Sequence, residues 1–310
     1  MLASLEAILP LFLLIALGYG AKRTVLDVKL LPGLNLFVYY FAVPALLFNA
    51  ASQQSISDLL NIPALAAVSL AVVLTALFTY VTFRRVFPTT DRRVPIVQCL
   101  NAVFSNFAYM GIPLTFGLLG ESSHAATISI ILLGNILIVN GTQLLLEALE
   151  HQSIDAKAML GIVQRSLLQN PIFLATVVGL VFSNYALSLP GSFQTLVDML
   201  APAAIPVALF CLGASLQFRK TEIGYPQIFT LVTTKLVLHP ALTLACFYLL
   251  GIEESSWLLA AVFLCALPTG ALAHVIALKH QVFDTGTSQV IVFSTLLSLL
   301  SVSIWVQLLL

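Results

Sequence analysis

One lysine in this 310-residue sequence stands where a charge is costly. Lys235 lies near the middle of the apolar stretch 223–250, and a cation at the centre of a bilayer costs ~2.5–3.5 kcal/mol on insertion scales, so an intramembrane lysine is a functional candidate by default. There it would neutralise the carboxylate of a bound solute or hold a transferable proton. The alternatives are a structural pair with a carboxylate, such as Asp198 in the stretch 193–217, or a buried neutral amine. His239 follows one helical turn later on the same face. An imidazole titrating near neutrality beside a cation is suited to proton coupling, and His274 is a second candidate for that role; each also reads as a satisfied core histidine. His124, His151 and His280 fall at loop edges and read as interfacial.

The other chemically suggestive residues sit where helices should break. The segment SNFAYMGIPLTFG at 105–117 sets Asn106 close to Gly111 and Pro113. The segment ALPTGALAHVIA at 266–277 sets Pro268 and Gly270 on either side of Thr269. Proline removes a backbone donor and crowds the preceding turn, so inside a membrane it needs compensation. A new helix beginning at each break would present free N–H groups and a partial positive charge, a geometry that binds anions. Asn106, Gly111, Pro113, Pro268, Thr269 and Gly270 are therefore the expected substrate contacts. Asn135, a mid-span amide beside Gly134, joins them, with Lys235 as the counter-charge. The alternative for the amides is helix packing.

These residues need a membrane to position them. Of all residues, 60% are hydrophobic and only 8% charged, with 13 basic residues against 13 acidic ones. A soluble domain of this length needs a far more charged shell. A nucleic-acid binder needs a basic face, and a disordered chain needs low hydrophobicity. The composition excludes all three and implies a polytopic membrane protein with the lipid bilayer as its solvent. Cys99, Cys211, Cys246 and Cys265 form no CxxC pair and have no histidine at ligand spacing, so neither a metal nor another cofactor is expected. The first 20 residues lack a basic start and a small-residue cleavage site and read as a span.

A membrane helix needs about 20 apolar residues. Ten segments qualify: roughly 5–21, 32–51, 60–83, 95–119, 123–149, 166–184, 193–217, 223–250, 256–279 and 285–309. The loops between them carry basic residues in strict alternation. Odd loops hold Lys22, Arg23, Lys29, Arg84, Arg85, Arg92, Arg93, Lys157, Arg165, Arg219, Lys220 and Lys279, and even loops hold none. Basic loops stay in the cytoplasm, so both termini are expected outside it, in a plasma membrane or a bacterial inner membrane.

The ten spans divide into two related halves. PLFLLIALG at 10–18 matches PIFLATVVG at 171–179 with an offset of 161, and VPALLFNAAS at 43–52 matches IPVALFCLGAS at 205–215 with an offset of 162. A unit of five spans puts the second copy upside down, which gives an inverted repeat and the usual basis of alternating access. The expected organisation is residues 1–150, a cytoplasmic linker at 151–165, and residues 166–310. The fold class is all-α integral membrane: ten transmembrane helices as two inverted five-helix repeats, with broken, crossed helices 4 and 9.

Several motifs are together similar to the auxin efflux carrier (PIN-like) family. They are NLFVYYFAVPALLF at 35–48, N-x-x-x-M-G-I-P-L at 106–114, NP-x(7)-G at 170–179, PVALFCLGASLQ at 206–217, and LP-x-G at 267–270 with Ala277 downstream. The resemblance implies crossed helices 4 and 9 and carriage of a small organic anion. It further implies elevator-type movement of spans 3–5 and 8–10 against a scaffold of spans 1, 2, 6 and 7, through which a homodimer forms. The connection at 150–165 is short, as in prokaryotic members, which puts auxin itself in doubt; the resemblance associates such members with malonate, malate and similar acids and does not choose among auxin-like acids and dicarboxylates. No GxxxxGK[ST], HExxH or GxSxG motif is present, so an ATP-driven pump and an intramembrane hydrolase are excluded. The competing reading is a cation or proton exchanger on a similar crossed-helix fold, which would call for carboxylates near the crossing; spans 4 and 9 have none.

Overall fold

The structure is a computed structural model, and it describes residues 2–151, 161, 164, 168–216, 223–252 and 255–310. Most of the expected linker, together with Lys157, Arg165, Arg219, Lys220, Glu253 and Glu254, lies outside the described residues. The described chain is helical throughout, and its one β-type contact is an isolated bridge between two helix breaks. Six helical runs are long and apolar enough to cross a membrane: Leu31–Ala51, Ile56–Val86, Phe107–Glu150, Gly191–Ser215, Tyr225–Leu249 and Asp284–Leu309. Val94–Val103, Pro171–Asn184 and Ser256–Ala266 are shorter apolar helices. The 44-residue run Phe107–Glu150 is divided by Gly120, whose φ of 65° is open to glycine at little cost. Closed helices satisfy their own backbone, the condition for residence in lipid. The protein is an integral, multi-pass membrane protein.

The chain packs as two compact units. One comprises Met1–Asn61, Ala108–Ser129 and Arg165–Leu216. Its helices approach closely at glycines, as membrane helices do when no hydrophobic force draws them together. Gly18 on Leu2–Thr24 lies against the Phe210 carbonyl, and Gly213 lies against the Ile15 carbonyl. At Gly179, on Pro171–Asn184, a Cβ would meet the Phe48 carbonyl oxygen at 2.7 Å. The helix Pro171–Asn184 starts on an Asn170 cap, whose side chain accepts from the amides of Ile172 and Phe173. Asn49, Gln194 and Asp198 form a polar cluster: Asn49 and Gln194 donate to Asp198 Oδ1 at 3.1 and 2.8 Å. The Asp198 carboxylate is thus paired with amides.

The second unit comprises Ile62–Phe107, Ile130–Gln164 and Gln217–Leu310. Its core gathers Phe83, Ala102, Ile228, Leu231, Val232, Leu236 and Val290 from four helices. Just before Val94–Val103, Arg93 donates to Asp91 at 2.8 Å, to Glu150 at 3.1 Å and to the His280 carbonyl at 3.4 Å. The Glu150 carboxylate also meets His280 Nδ1 at 3.0 Å. This charge network ties the turn before Val94–Val103 to the ends of two other helices. The Arg93 guanidinium hydrogen-bonded to Asp91 holds that carboxyl below its usual range.

Candidate functional site

Two helices of the second unit stop inside the apolar layer. Val94–Val103 ends at Phe104, whose φ of −84° and ψ of 108° are extended, and helical structure resumes at Phe107. Ser105 and Asn106 side chains compete with the backbone for hydrogen bonds and disfavour a helix interior. The helix ending at Ala266 stops before Leu267-Pro268, because a residue preceding proline is pushed out of the α region. Its continuation, Leu272–Lys279, begins after Gly270 and Ala271.

The two breaks pair with each other. Ser105 and Thr269 form an antiparallel bridge. The Asn106 amide donates to the Pro268 carbonyl at 2.9 Å, and the Gly270 amide donates to the Phe104 carbonyl at 3.1 Å. The backbones come so close that a Cβ on Gly270 would lie 2.6 Å from the Phe104 ring and 2.9 Å from the Ser105 carbonyl oxygen, so glycine is required. Each break thus satisfies groups that the other leaves open, as buried backbone demands.

Side chains brace this crossing. The Thr269 hydroxyl donates to the Asn101 carbonyl at 2.8 Å, and the Thr269 amide donates to Ser294 Oγ at 3.2 Å. The Asn101 amide donates to Thr287 Oγ1 at 2.8 Å. Lys235 is fully buried in a π-helical turn, Thr234–Leu238, a distortion frequent at functional sites. Its Nζ lies 2.7 Å from Ser105 Oγ, 2.6 Å from the Cys265 carbonyl and 3.2 Å from His239 Nδ1. An ammonium has three protons, and here it has three acceptors. One ammonium therefore joins the first break to the last turn before the second. While Lys235 is charged, His239 Nδ1 accepts and the imidazole proton sits on Nε2, which is buried without a partner among the described residues.

The sequence expectations divide accordingly. Asn106, Pro268, Thr269, Gly270, Lys235 and His239 fall in one unit, at or directly bonded around the crossing. Asn106 is 5% exposed, and its Nδ2 has no partner among the described residues. Asn135, half-buried in the π-helical turn Gly134–Asn140, donates to the Ile131 carbonyl at 3.0 Å. Its neighbour Gly134 packs against the Phe107 ring, where the helix resumes after the break. His274 Nδ1 meets the Asp284 carbonyl at 3.2 Å.

Two expectations need correction. The first break lies at Phe104–Asn106, not at Gly111 and Pro113, which belong to the other unit. Pro113 lies six residues into the helix that resumes at Phe107; Gly111 before it is helical, at φ −66° and ψ −51°, and the chain passes from the π-helical turn Phe107–Gly111 into Ile112–Leu119 without a break. The amides expected to be free for an anion are also mostly engaged. Those of Asn106, Phe107, Thr269, Gly270, Ala273 and His274 all donate within the protein. What remains open is side-chain chemistry: Asn106 Nδ2, Asn101 Oδ1, Thr295 Oγ1 and both polar atoms of Gln98 are buried without partners among the described residues. The sequence reading passed over Ser105, Asn101, Gln98, Thr287, Ser294 and Thr295. Their signal was polarity recurring inside apolar spans, with 98, 101 and 105 at helical spacing.

Among the described residues no group of three or more His, Cys, Asp or Glu side chains converges as a metal site. The chain matches the family model described as membrane transport protein over residues 3–306. It is 32% identical to a protein of Rhizobium meliloti named "Putative malonate transporter", over 96% of this chain and 92% of the relative. It is 26% identical to a protein of Methanothermobacter thermautotrophicus named "Uncharacterized transporter", over 98% of both chains. A crossing of two broken helices within an apolar, multi-pass chain, matched end to end by these relatives, belongs to a transport protein and not to an enzyme: the chain is a member of the membrane transport protein family, the auxin efflux carrier (PIN-like) family that its motifs resemble.

Proposed function

We propose that this protein carries small organic anions across the cytoplasmic membrane by elevator-type alternating access, with the helix crossing as the substrate site. The observation that carries the reading is Lys235, a fully buried amine joining the paired breaks beside the unpartnered amide of Asn106. The ammonium supplies positive potential to the crossing while its protons stay on the protein. The Asn106 amide, whose Nδ2 has no partner among the described residues, then gives the substrate oxygens their direct contact. No Asp or Glu occurs in 94–119 or 255–279 to oppose an anion there. The Rhizobium meliloti relative's name makes malonate the first acid to test.

The architecture we assign is ten spans in two inverted halves. Two reciprocal contacts support it. Gly18 faces Phe210 while its repeat counterpart Gly179 faces Phe48, the counterpart of Phe210. The Asn106–Pro268 and Gly270–Phe104 hydrogen bonds likewise exchange under a shift of 164 residues. Such a design makes two oppositely facing states near in energy. The two compact units support the elevator: one holds spans 1, 2, 6 and 7 with residues 108–129, and the other holds spans 3, 8, 9 and 10 with the crossing. The termini are assigned to the outside from the basic loops, and a homodimer is assigned to spans 1, 2, 6 and 7 as the family resemblance implies.

The test is thermal unfolding of the detergent-purified protein with malonate, malate, acetate and indole-3-acetate at pH 5.5 and 7.5. A ligand that binds only the folded state raises the midpoint, by the equivalent of about 2.7 kcal/mol at a hundredfold excess over Kd. Malonate is expected to raise it at both pH values. An absence of shift with every acid, alongside a shift with sodium, would replace the anion reading with a cation exchanger.

A further inference from the structure

We propose that the second unit carries a binding site for an anionic membrane phospholipid, at the membrane edge where Ile62–Val86 ends. Arg84 and Arg92 line one cleft of about 360 Å³ together with Tyr80, Ile96, Leu145 and Leu149. Arg84 sits in the last turn of the apolar helix, and Arg92 sits in the turn leading to the next, so both stand where hydrocarbon gives way to headgroups. Their neighbour Arg93 is occupied by Asp91, Glu150 and the His280 carbonyl. Arg84 and Arg92 have no ion pair or hydrogen bond among the described residues.

The cleft has two chemistries, and one ligand class has both. Guanidinium groups bind phosphate oxygens in planar, bidentate fashion. Leu145 is 53% exposed and Leu149 42%, an apolar wall suited to the upper part of an acyl chain. A soluble phosphate would leave that wall unused. A zwitterionic lipid would bring its own ammonium toward two arginines, so a phospholipid with net negative charge is the matching occupant. Basic pockets between helices at membrane edges hold such headgroups by the same physics.

The experiment is native mass spectrometry of the intact protein in detergent, titrated with phosphatidylglycerol or phosphatidylcholine. Phosphatidylglycerol is expected to bind more tightly. Each arginine near the surface accounts for about a fivefold gain, so Arg84→Ala with Arg92→Ala together should weaken binding roughly 25-fold. Arg85→Ala, a basic residue outside the cleft, should weaken it less than either cleft arginine variant does. Leu145→Gln should weaken retention without altering charge, and separates loss of the wall from loss of fold. Equal binding of the two lipids, or unchanged binding in the double variant, would overturn the site. Competition by glycerol 3-phosphate at the same concentration as the lipid would overturn the lipid assignment in favour of a soluble phosphate.

Discussion

Gly18 packs against the backbone carbonyl of Phe210, leaving no room for a side chain between Leu2–Thr24 and Ala204–Ser215. Gly179 stands in the same relation to Phe48. The matched segments 10–18 with 171–179 and 43–52 with 205–215 place these two glycines, and these two phenylalanines, at equivalent positions. The same close-packing device is thus made twice between the matched segments.

Gly18→Ala should therefore push two helices apart. Overpacking of a tight contact costs typically 1–3 kcal/mol, enough to lower the detergent unfolding midpoint by several degrees. Gly20→Ala, two residues on, adds a methyl to open space and should leave the midpoint unchanged. Equal midpoints for the two variants would mean that the Gly18 contact adds nothing to stability.

Lys235 is a brace on this geometry, and its removal should be felt in the fold. Lys235→Ala leaves the Cys265 carbonyl, Ser105 Oγ and His239 Nδ1 without their shared donor. Buried groups left unsatisfied cost ~1–3 kcal/mol each, offset in part because a costly buried charge also disappears. The midpoint should fall and transport should be lost together, and Ser105→Ala should reproduce a milder version of both. An unchanged midpoint with loss of the acid-induced shift alone would make Lys235 a direct substrate ligand.

The residues themselves show why the first break was misplaced and the second was not. Leu267-Pro268-Thr269-Gly270 carries its own punctuation, since proline restricts the residue before it and Gly270 alone tolerates the Phe104 ring. Phe104-Ser105-Asn106 has neither proline nor glycine, and its extended backbone is secured by pairing with Thr269, 164 positions away. The obvious signal downstream, Gly111 and Pro113, lies inside a helix that continues through the π-helical turn Phe107–Gly111. Lys235 was legible from its cost in the membrane. Its acceptors were not, because Cys265 contributes a carbonyl that any residue could supply. Segregation of the chain into two units depends on contacts between distant helices, each unit taking segments from both halves of the chain.

Stability should respond to acid at the Asp91–Arg93 pair. Asp91 accepts twice from the Arg93 side chain, at 3.1 and 2.8 Å, which lowers its carboxyl below the usual range. A carboxyl depressed in the folded state contributes stability above its unfolded value, about 3.9, and loses it as pH falls through the folded one. Both side chains are about a third exposed, so the contribution is bounded at roughly 0–1 kcal/mol. Asp91→Asn should lower the midpoint slightly at pH 7, and the gap to the parent protein should close below about pH 4. A gap that widened on acidification would contradict the pairing.

Asn106 separates binding from folding more cleanly than any other residue at the crossing. Its backbone amide secures the bridge to Pro268, but its side-chain Nδ2, though buried, engages no described residue. A polar group in that condition is costly to bury unless something supplies an acceptor. Asn106→Ala removes the donor and keeps the backbone bond, so the unfolding midpoint in the absence of acids should hold or rise slightly. The malonate-induced rise should shrink or vanish, because a substrate oxygen has lost its partner. Thr269→Val is the complementary variant. It removes a hydroxyl already engaged with the Asn101 carbonyl, and should lower the midpoint by ~1 kcal/mol equivalent. If Asn106→Ala bound malonate as the parent does while losing stability as Thr269→Val does, the Asn106 amide would be a structural group, and the substrate contacts would have to be sought elsewhere than at the crossing.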